Sequence, residues 1–591
     1  MKTVRARLVV ILVSVAALLA LPAPTQAVTD PAKTPTAVGT GGAAATVEGL
    51  ATEAAIEALR GGANAIDAAV VAAAVLGVTE PFSCGIGGGG FMVIHTAEGT
   101  TTTVDGRETA PAAMHPQSFW EDGAPLPFDD ARYSGMSAGV PGTVAMWDRA
   151  LRQYGTMSLG ETLQPGIAVA RNGFLIDQTF HDQTAGNVDY FDDVPSSAAL
   201  YLDPDGTPRD VGTVLRNPDL AATYDRIARL GAKGFYRGAV ADAIVEAVTD
   251  PPVSADANHT WRPGVMTQRD LLRYTALERE PAHVTYRDVD VFGMGPPSSG
   301  GSTVGEALNI LEGYDLAGVT RAEALHRYLE ASRFSFADRN AYIADPAYFD
   351  VPLTGLLSDT FAAERRDQIG DTAATSPVPP GDPYPHNGGG TGAGMAATTT
   401  GHETTTHLTV SDRDGNVVSY TFTIESTGGN GIVVPGWGFL LNNELTDFNF
   451  SSTTHPNRVE GGKRPRSSMS PTIVTRDGEP LLALGSPGGA TIITTVLQIL
   501  VERLDLGASL PDAIAAPRAS QRNTTATNAE PAFIQSPEGQ ELASAYGHVF
   551  SSTSEIGAAT GIEFLTDGGV VAAAEPQRRG GGTAMVEQPV P

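Results

Sequence analysis

Between residues 370 and 403 the chain consists largely of Pro, Gly, Thr and Ala, as in Pro379-Pro380-Gly381 and Gly388-Gly389-Gly390, and then runs without a break into a β-rich stretch. The first composition buries too little apolar surface to order itself and reads as a flexible segment. The second predicts strands at 406–411 and 417–424, joined by the turn Asp414-Gly415-Asn416. A loose leader fused directly to a buried strand is what a processing site needs. One side can leave, and the first residue of the other stays fixed.

The rest of the chain reads as stacked layers with sheets inside. Helices are expected at 48–59, stopped by Gly61-Gly62, and at 65–75, opened by Asn64 and closed near Gly77. Two strands are expected at 91–95 and 101–104, then a mostly helical stretch over 140–340, clearest at 303–311 and 321–336. Beyond residue 424, strands are expected at 432–441, 471–475 and 481–485, and helices at 490–504 and 510–516. A hairpin at 562–565 and 569–574 closes the chain, and residues 28–45 are expected to be loose. With 591 residues and no internal period, one large core or two interlocked ones can form.

Lys2, Arg5 and Arg7, the apolar run 8–21 and Thr25-Gln26-Ala27 have the form of an export signal covering 1–27. The apolar run is too short for a membrane span and is followed by Pro22 and Pro24, so a secreted or periplasmic protein with no stable span is expected. Cys84 is the only cysteine, which excludes an intrachain disulfide. The formal charge of −29 repels phosphate backbones and argues against nucleic acid as a partner. The eleven histidines are scattered with no His-x-x-x-His spacing, so no metal and no cofactor are expected.

Chemistry is expected at Glu403-Thr404-Thr405-Thr406-His407. A threonine hydroxyl is a poor nucleophile until a base takes its proton. Cutting the peptide bond before it creates that base as the new α-amine, with an ordinary pKa of about 7.7–8.0. On the residues alone Thr404, Thr405 and Thr406 serve equally, and a Thr run without context is β propensity or loop filler.

The run Thr405-Thr406-His407, followed by Asp414-Gly415-Asn416 and Thr423, resembles the small-subunit start of γ-glutamyltransferases, members of the N-terminal nucleophile hydrolase superfamily. The resemblance runs from about residue 46 to the C-terminus. It takes in Gly61-Gly62-Ala63-Asn64-Ala65-Ile66-Asp67, Gly85-Ile86-Gly87-Gly88-Gly89-Gly90-Phe91, Asp105-Gly106-Arg107-Glu108 and Pro296-Pro297-Ser298-Ser299-Gly300-Gly301. It continues through Leu441-Asn442-Asn443-Glu444, Arg466-Ser467-Ser468-Met469-Ser470-Pro471 and Gly485-Ser486-Pro487-Gly488-Gly489.

The resemblance implies an α+β, four-layer αββα sandwich built from two chains cut from one precursor. The cut falls between Thr404 and Thr405, giving a large piece 28–404, with 370–404 as its processing segment, and a small piece 405–591. It implies Thr405 as nucleophile, Thr423 as its hydrogen-bonding partner, and Gly488 and Gly489 as donors to the oxyanion. Arg107, Ser467 and Ser468 would take the α-carboxylate of a γ-glutamyl group, and Glu425, Glu444 and Asp447 its α-ammonium. Glutathione and related γ-glutamyl amides are the implied donors, and water, amino acids or peptides the acceptors.

Some relatives carry a longer insert with a lid tyrosine where this chain has only 449–462 between Asp447 and Ser467. An open cleft that favours hydrolysis and admits larger donors such as poly-γ-glutamate is therefore expected. The competing readings are an acylase for cephalosporin side chains or γ-linked capsule, and an inactive secreted binding protein on the same fold.

Overall fold

The computed structural model describes residues 29–388 and 404–590. The export segment and the last part of the processing segment lie outside these. Thirteen strands of the described residues form one connected sheet: β1 (Thr36–Thr46), β2 (Gly89–His95), β3 (Thr101–Asp105), β4 (Leu277–Arg279), β5 (Ala282–Tyr286), β6 (Val289–Gly293), β7 (Thr406–Ser411), β8 (Val417–Thr423), β9 (Thr472–Arg476), β10 (Glu479–Gly485), β11 (Thr560–Phe564), β12 (Val570–Ala574) and β13 (Thr583–Pro589). Their order is β4-β3-β2-β8-β7-β1-β12-β11-β10-β9-β6-β5, with β13 also paired to β1.

The sheet folds back on itself along β1. Thr36–Gly39 of β1 pairs with β12, whereas Ala43–Ala45 pairs with β7, and the register slips between Thr40 and Ala43. Gly41, at φ 82°, makes that bend. The two halves then face each other, β8 on β10, β7 on β11 and β2 on β9. Val93, Val417, Ile473 and Ala483 fill part of the space between them. The Ser419 hydroxyl spans the same gap, donating to Leu484 O and accepting from Thr472 N–H.

Helices α1 (Gly49–Arg60), α2 (Ala65–Thr79) and α3 (Thr143–Tyr154) cover the first half. Helices α4 (Gly300–Leu311), α5 (Arg321–Tyr342), α6 (Thr491–Leu504) and α7 (Leu510–Ala515) belong to the second. The result is the four-layer αββα sandwich. Two separate apolar cores lie between each sheet half and its helices. The α2 sequence is apolar on every side because every residue of the helix is buried, and Asn64 with Asp67 closes its N-terminus as a capping box.

Several expectations are corrected. Of the stretch 28–45, expected to be loose, residues from Thr36 on belong to β1 (Thr36–Thr46), the strand common to both halves. Its Gly and Ala residues carry little β propensity, but a Cβ on Gly39 would collide with the Gln588 carbonyl, so close packing selects them. Helix α2 runs through Gly77, where a Cβ would lie 2.8 Å from the Tyr224 hydroxyl. Residues 432–441 form no strand, only a bridge between Val433 and Leu440, because Gly436 and Gly438 turn the chain at φ 74° and 71°. The chain does not close with the 560–574 hairpin, since β13 follows it. The stretch 370–388 lacks regular strands but is anchored by Val378 N–H on Asn523 (2.7 Å) and Gly381 N–H on Asp338 (2.5 Å). No helix among the described residues is long and apolar enough to cross a membrane.

Candidate active site

Thr405 directly precedes β7, and Thr423 is the last residue of β8. The antiparallel register pairs Thr406 with Phe422, which brings the two threonines together at the strand ends. Thr405 Oγ1 lies 2.6 Å from the carbonyl oxygen of Thr404 and 3.2 Å from Thr423 Oγ1. Thr423 Oγ1 is 2.9 Å from the same carbonyl oxygen and accepts the Glu425 N–H at 2.8 Å. Both hydroxyls thus converge on one peptide carbonyl. Thr404 is itself fixed, its N–H donating to Glu425 O (2.9 Å) and its hydroxyl to Phe82 O (3.0 Å).

His407 is the nearest imidazole in sequence, and it does not serve as the base. Its ring nitrogens lie 2.8 Å from Thr421 Oγ1 and 3.2 Å from Thr409 Oγ1. Burial pushes its pKa down to about 3, so the ring is neutral and engaged within the strands. Both ring nitrogens are thus engaged away from Thr405.

Next to Thr405 lies a small pocket of about 20 Å³, room for roughly one water. Arg107, Thr423, Glu425, Glu444, Asp447, Ser467, Ser468 and Gly489 line it with Thr405. Arg107 is fully buried, pairs with Glu444 and Asp447, and donates to the carbonyls of Pro465 (3.1 Å) and Arg466 (3.0 Å). Burial pushes the Glu444 carboxyl well up despite Arg107 opposing it. Burial likewise raises Glu108 to about 8, and among the described residues no other side chain hydrogen-bonds its carboxyl oxygens.

The Glu425 carboxylate accepts from Ser426 Oγ and Asn443 Nδ2, and its backbone is left-handed at φ 78°. Ser467 Oγ accepts the Met469 N–H at 3.1 Å, while its carbonyl accepts from Ser299. Ser468 Oγ accepts from Arg339 at 2.6 Å. Arg339, on α5, carries no motif signal, which is why sequence reasoning missed it.

Gly488 and Gly489 form the turn from β10 into α6, at φ 126° and 56°, conformations that favour glycine. Among the described residues their N–H groups meet no acceptor. Gly489 borders the small pocket, whereas Gly488 borders a second cavity of about 1210 Å³. That wide cleft reaches Thr404 and is lined by Arg132, Tyr133, Gln178, Tyr190 and Arg579 among others. The Thr404–Thr405 peptide is therefore the partition between a tight charged pocket and a roomy polar cleft.

His326, Glu330 and His548 form a buried cluster whose nitrogen and oxygen atoms could approach a metal ion, a grouping invisible to any spacing rule. None of the three lines either cavity. Glu330 is held by Arg333 (3.0 Å) and the Ala374 N–H (3.0 Å), and His326 by Gly370 O (3.0 Å).

The family described as Gamma-glutamyltranspeptidase matches residues 51–585. The "Glutathione hydrolase proenzyme" of Escherichia coli (strain K12) is 35% identical over 554 residues, covering 91% of this chain and 90% of that protein. The protein of the same name from Bacillus subtilis (strain 168) is 38% identical over 489 residues, 81% of each chain. Among solved structures, cephalosporin acylase from Bacillus halodurans superposes with a TM-score of 0.81 at 27% identity, covering 96% of this chain and 99% of that one.

Proposed function

The chain belongs to the gamma-glutamyltranspeptidase family, and on that footing we propose that it is a self-processing glutathione hydrolase and γ-glutamyltransferase with Thr405 as its nucleophile. The observation that carries the assignment is the convergence of the Thr405 and Thr423 hydroxyls on the Thr404 carbonyl, at 2.6 and 2.9 Å.

In processing, the Thr405 oxygen attacks the Thr404 carbonyl carbon and the C–N bond breaks. The proton passes to the departing nitrogen, leaving an ester and a free α-amine. Water then hydrolyses the ester to a Thr404 carboxylate and a restored hydroxyl. Two pieces result, 28–404 and 405–591, once residues 1–27 are removed during export. The same hydroxyl, with the α-amine as base, attacks the γ-carbonyl of the donor. Arg107, Ser467 and Ser468 hold the donor's α-carboxylate, and Glu425, Glu444 and Asp447 its α-ammonium. Gly488 and Gly489 face the oxyanion, a contact worth about 3–4 kcal/mol per donor in such sites. The leaving amine departs into the wide cleft carrying the proton from the α-amine, and water or an amino-acid acceptor enters the same way.

The likeness to a cephalosporin acylase raises a second reading, in which the acyl group is a cephalosporin side chain. The buried Arg107 between Glu444 and Asp447 favours an acyl group carrying both charges. A cleft of about 1210 Å³ on the leaving side suits poly-γ-glutamate as well as dipeptides.

Denaturing electrophoresis with N-terminal sequencing of the smaller fragment tests the assignment, together with release of a chromophore from a γ-glutamyl anilide. Two fragments, the smaller beginning at Thr405, and loss of both cleavage and turnover in Thr405→Ala are expected. An active preparation that stays one polypeptide, or a smaller fragment with another first residue, overturns it.

A further inference from the structure

Arg579 stands in the turn between β12 and β13 with a left-handed backbone at φ 53°, a conformation that costs a non-glycine residue about 1 kcal/mol or more. The turn is held there from both sides. Lys33 donates to Gly580 O at 3.1 Å, and the Arg579 N–H donates to Glu555 Oε2 at 3.2 Å. The side chain is thereby aimed along the wide cleft at the nucleophile. Its guanidinium donates to the carbonyl oxygen of Thr405 at 2.6 Å and to Ser83 Oγ at 2.7 Å.

We propose that Arg579 is a positioning residue for the reaction: it fixes the Thr405 backbone by its carbonyl and sets a positive charge beside the α-amine that cleavage creates, so that this amine is uncharged at lower pH than a free amino terminus. The proposal rests on the reading of Thr405 as an N-terminal nucleophile.

Within one residue the nitrogen and the carbonyl oxygen are at most about 3.7 Å apart, so the guanidinium lies within roughly 6 Å of the new amine. A like charge at that range disfavours the ammonium form. What matters is whether that charge is cancelled. In the small pocket Arg107 is matched by Glu444 and Asp447. Glu425, behind Thr423, has its carboxylate engaged by Ser426 and Asn443. Glu80, at the end of α2, interacts with Arg579, and burial raises its pKa while Arg579 opposes that rise. Glu555 faces the Arg579 backbone, Lys33 pairs with Asp177 at 3.3 Å, and Asp30 lies near both. The wide cleft sets Asp129 and Asp182 against Arg132 and Arg522. The groups to which the Arg579 guanidinium donates, the Thr405 carbonyl and Ser83 Oγ, are both neutral, and Glu80 is the carboxyl that opposes its charge.

The α-amine must be unprotonated to accept the hydroxyl proton, so the acid limb of the kcat/KM profile reads its pKa. The test uses the processed enzyme with a γ-glutamyl anilide between pH 5.5 and 9.5. Arg579→Met moves the acid limb up by roughly half to one pH unit, the effect of one unit charge at about 6 Å in a half-solvated site. At pH 6.5 this is about a three- to tenfold loss. Arg579→Lys, which keeps the charge, returns the limb toward its original position. Arg579→Gln keeps a donor for the carbonyl without the charge, shifts the limb as Arg579→Met does, and serves where the Met variant fails to fold. A limb that stays in place in Arg579→Gln, with only the plateau lowered, overturns the proposal and leaves a purely structural hydrogen bond. An unmutated protein that remains one inactive polypeptide refutes the nucleophile assignment instead, which separates the two failures.

Discussion

The two sides of the Thr404–Thr405 peptide differ in volume by nearly two orders of magnitude, about 20 Å³ against about 1210 Å³. The tight side is a net of buried charges, Arg107 between Glu444 and Asp447, with Glu108 behind. The wide side is polar and aromatic, with Tyr133 stacked on Tyr190 at 3.3 Å between ring centroids and Arg132 over Tyr133 at 4.2 Å. With the acyl group in the tight pocket, as proposed, a site built this way discriminates on the acyl group and tolerates the leaving group. Buried charges exact a large cost when a partner is missing, whereas an open polar wall does not.

The largest expected effect is at the tight side's centre. Arg107→Gln leaves two acids without their cation, so kcat/KM for a γ-glutamyl anilide falls about 10³-fold or more. Folding stability drops by about 3–5 kcal/mol, the usual cost of breaking a buried pair. Steady-state kinetics and urea midpoints measure the two. Stability unchanged within about 0.5 kcal/mol would break the picture of a tight charged pocket.

A substrate series sharpens the contrast next. Glutaryl anilide, which lacks the α-ammonium, should lose about 10²-fold in kcat/KM against γ-glutamyl anilide, because it brings no cation to the pocket that Glu425, Glu444 and Asp447 line. Lengthening the leaving group from a single amino acid to a dipeptide or tripeptide should change kcat/KM less than about tenfold. Equal sensitivity on both sides would erase the distinction.

Thr423→Val is expected to have a smaller effect. It deletes one hydroxyl from the pair facing the Thr404 carbonyl, an interaction worth about 1–2 kcal/mol. Self-cleavage, followed by densitometry of the two fragments, should slow about five- to thirtyfold.

What the chain disclosed before folding divides along the same lines. Strands β7 and β8 were legible because their residues are β-branched or aromatic and flank Asp414-Gly415-Asn416. The pocket's side chains were legible through motifs whose neighbours turn out to anchor them: Ser298 pairs as an isolated bridge with Ser467, and Ser299 donates to its carbonyl at 2.6 Å. β1 was illegible because an Ala- and Gly-rich strand carries no period-two apolar signal and is selected instead by close approach of the neighbouring strands. The 432–441 stretch misled in the opposite sense, its apolar residues suggesting a strand that Pro435-Gly436 and Gly438 interrupt. Arg579 belongs to none of the motifs, since only the fold aims it at Thr405. The sizes of the two cavities were illegible, because volume comes from the spacing of layers and not from any local run of residues.

The smallest expected effect reads the tight side through pH. Burial raises Glu108 to about 8, with Arg107 and the residue's own backbone N–H opposing. In the unfolded chain the same carboxyl loses its proton near 4.5. Between those values the folded protein holds a proton that the unfolded one has released, so stability from this group is present in full below about 4.5 and falls as pH rises. The slope has a ceiling of about 1.4 kcal/mol per pH unit and flattens beyond the folded value. Glu108→Gln carries the neutral form at every pH and removes that slope. Urea midpoints at pH 5, 6, 7 and 8 should therefore decline less steeply in the variant, with the curves parting toward alkaline pH. Parallel curves would mean that Glu108 is already ionised beside Arg107, and the tight side would then hold one more negative charge than the contrast with the wide cleft requires.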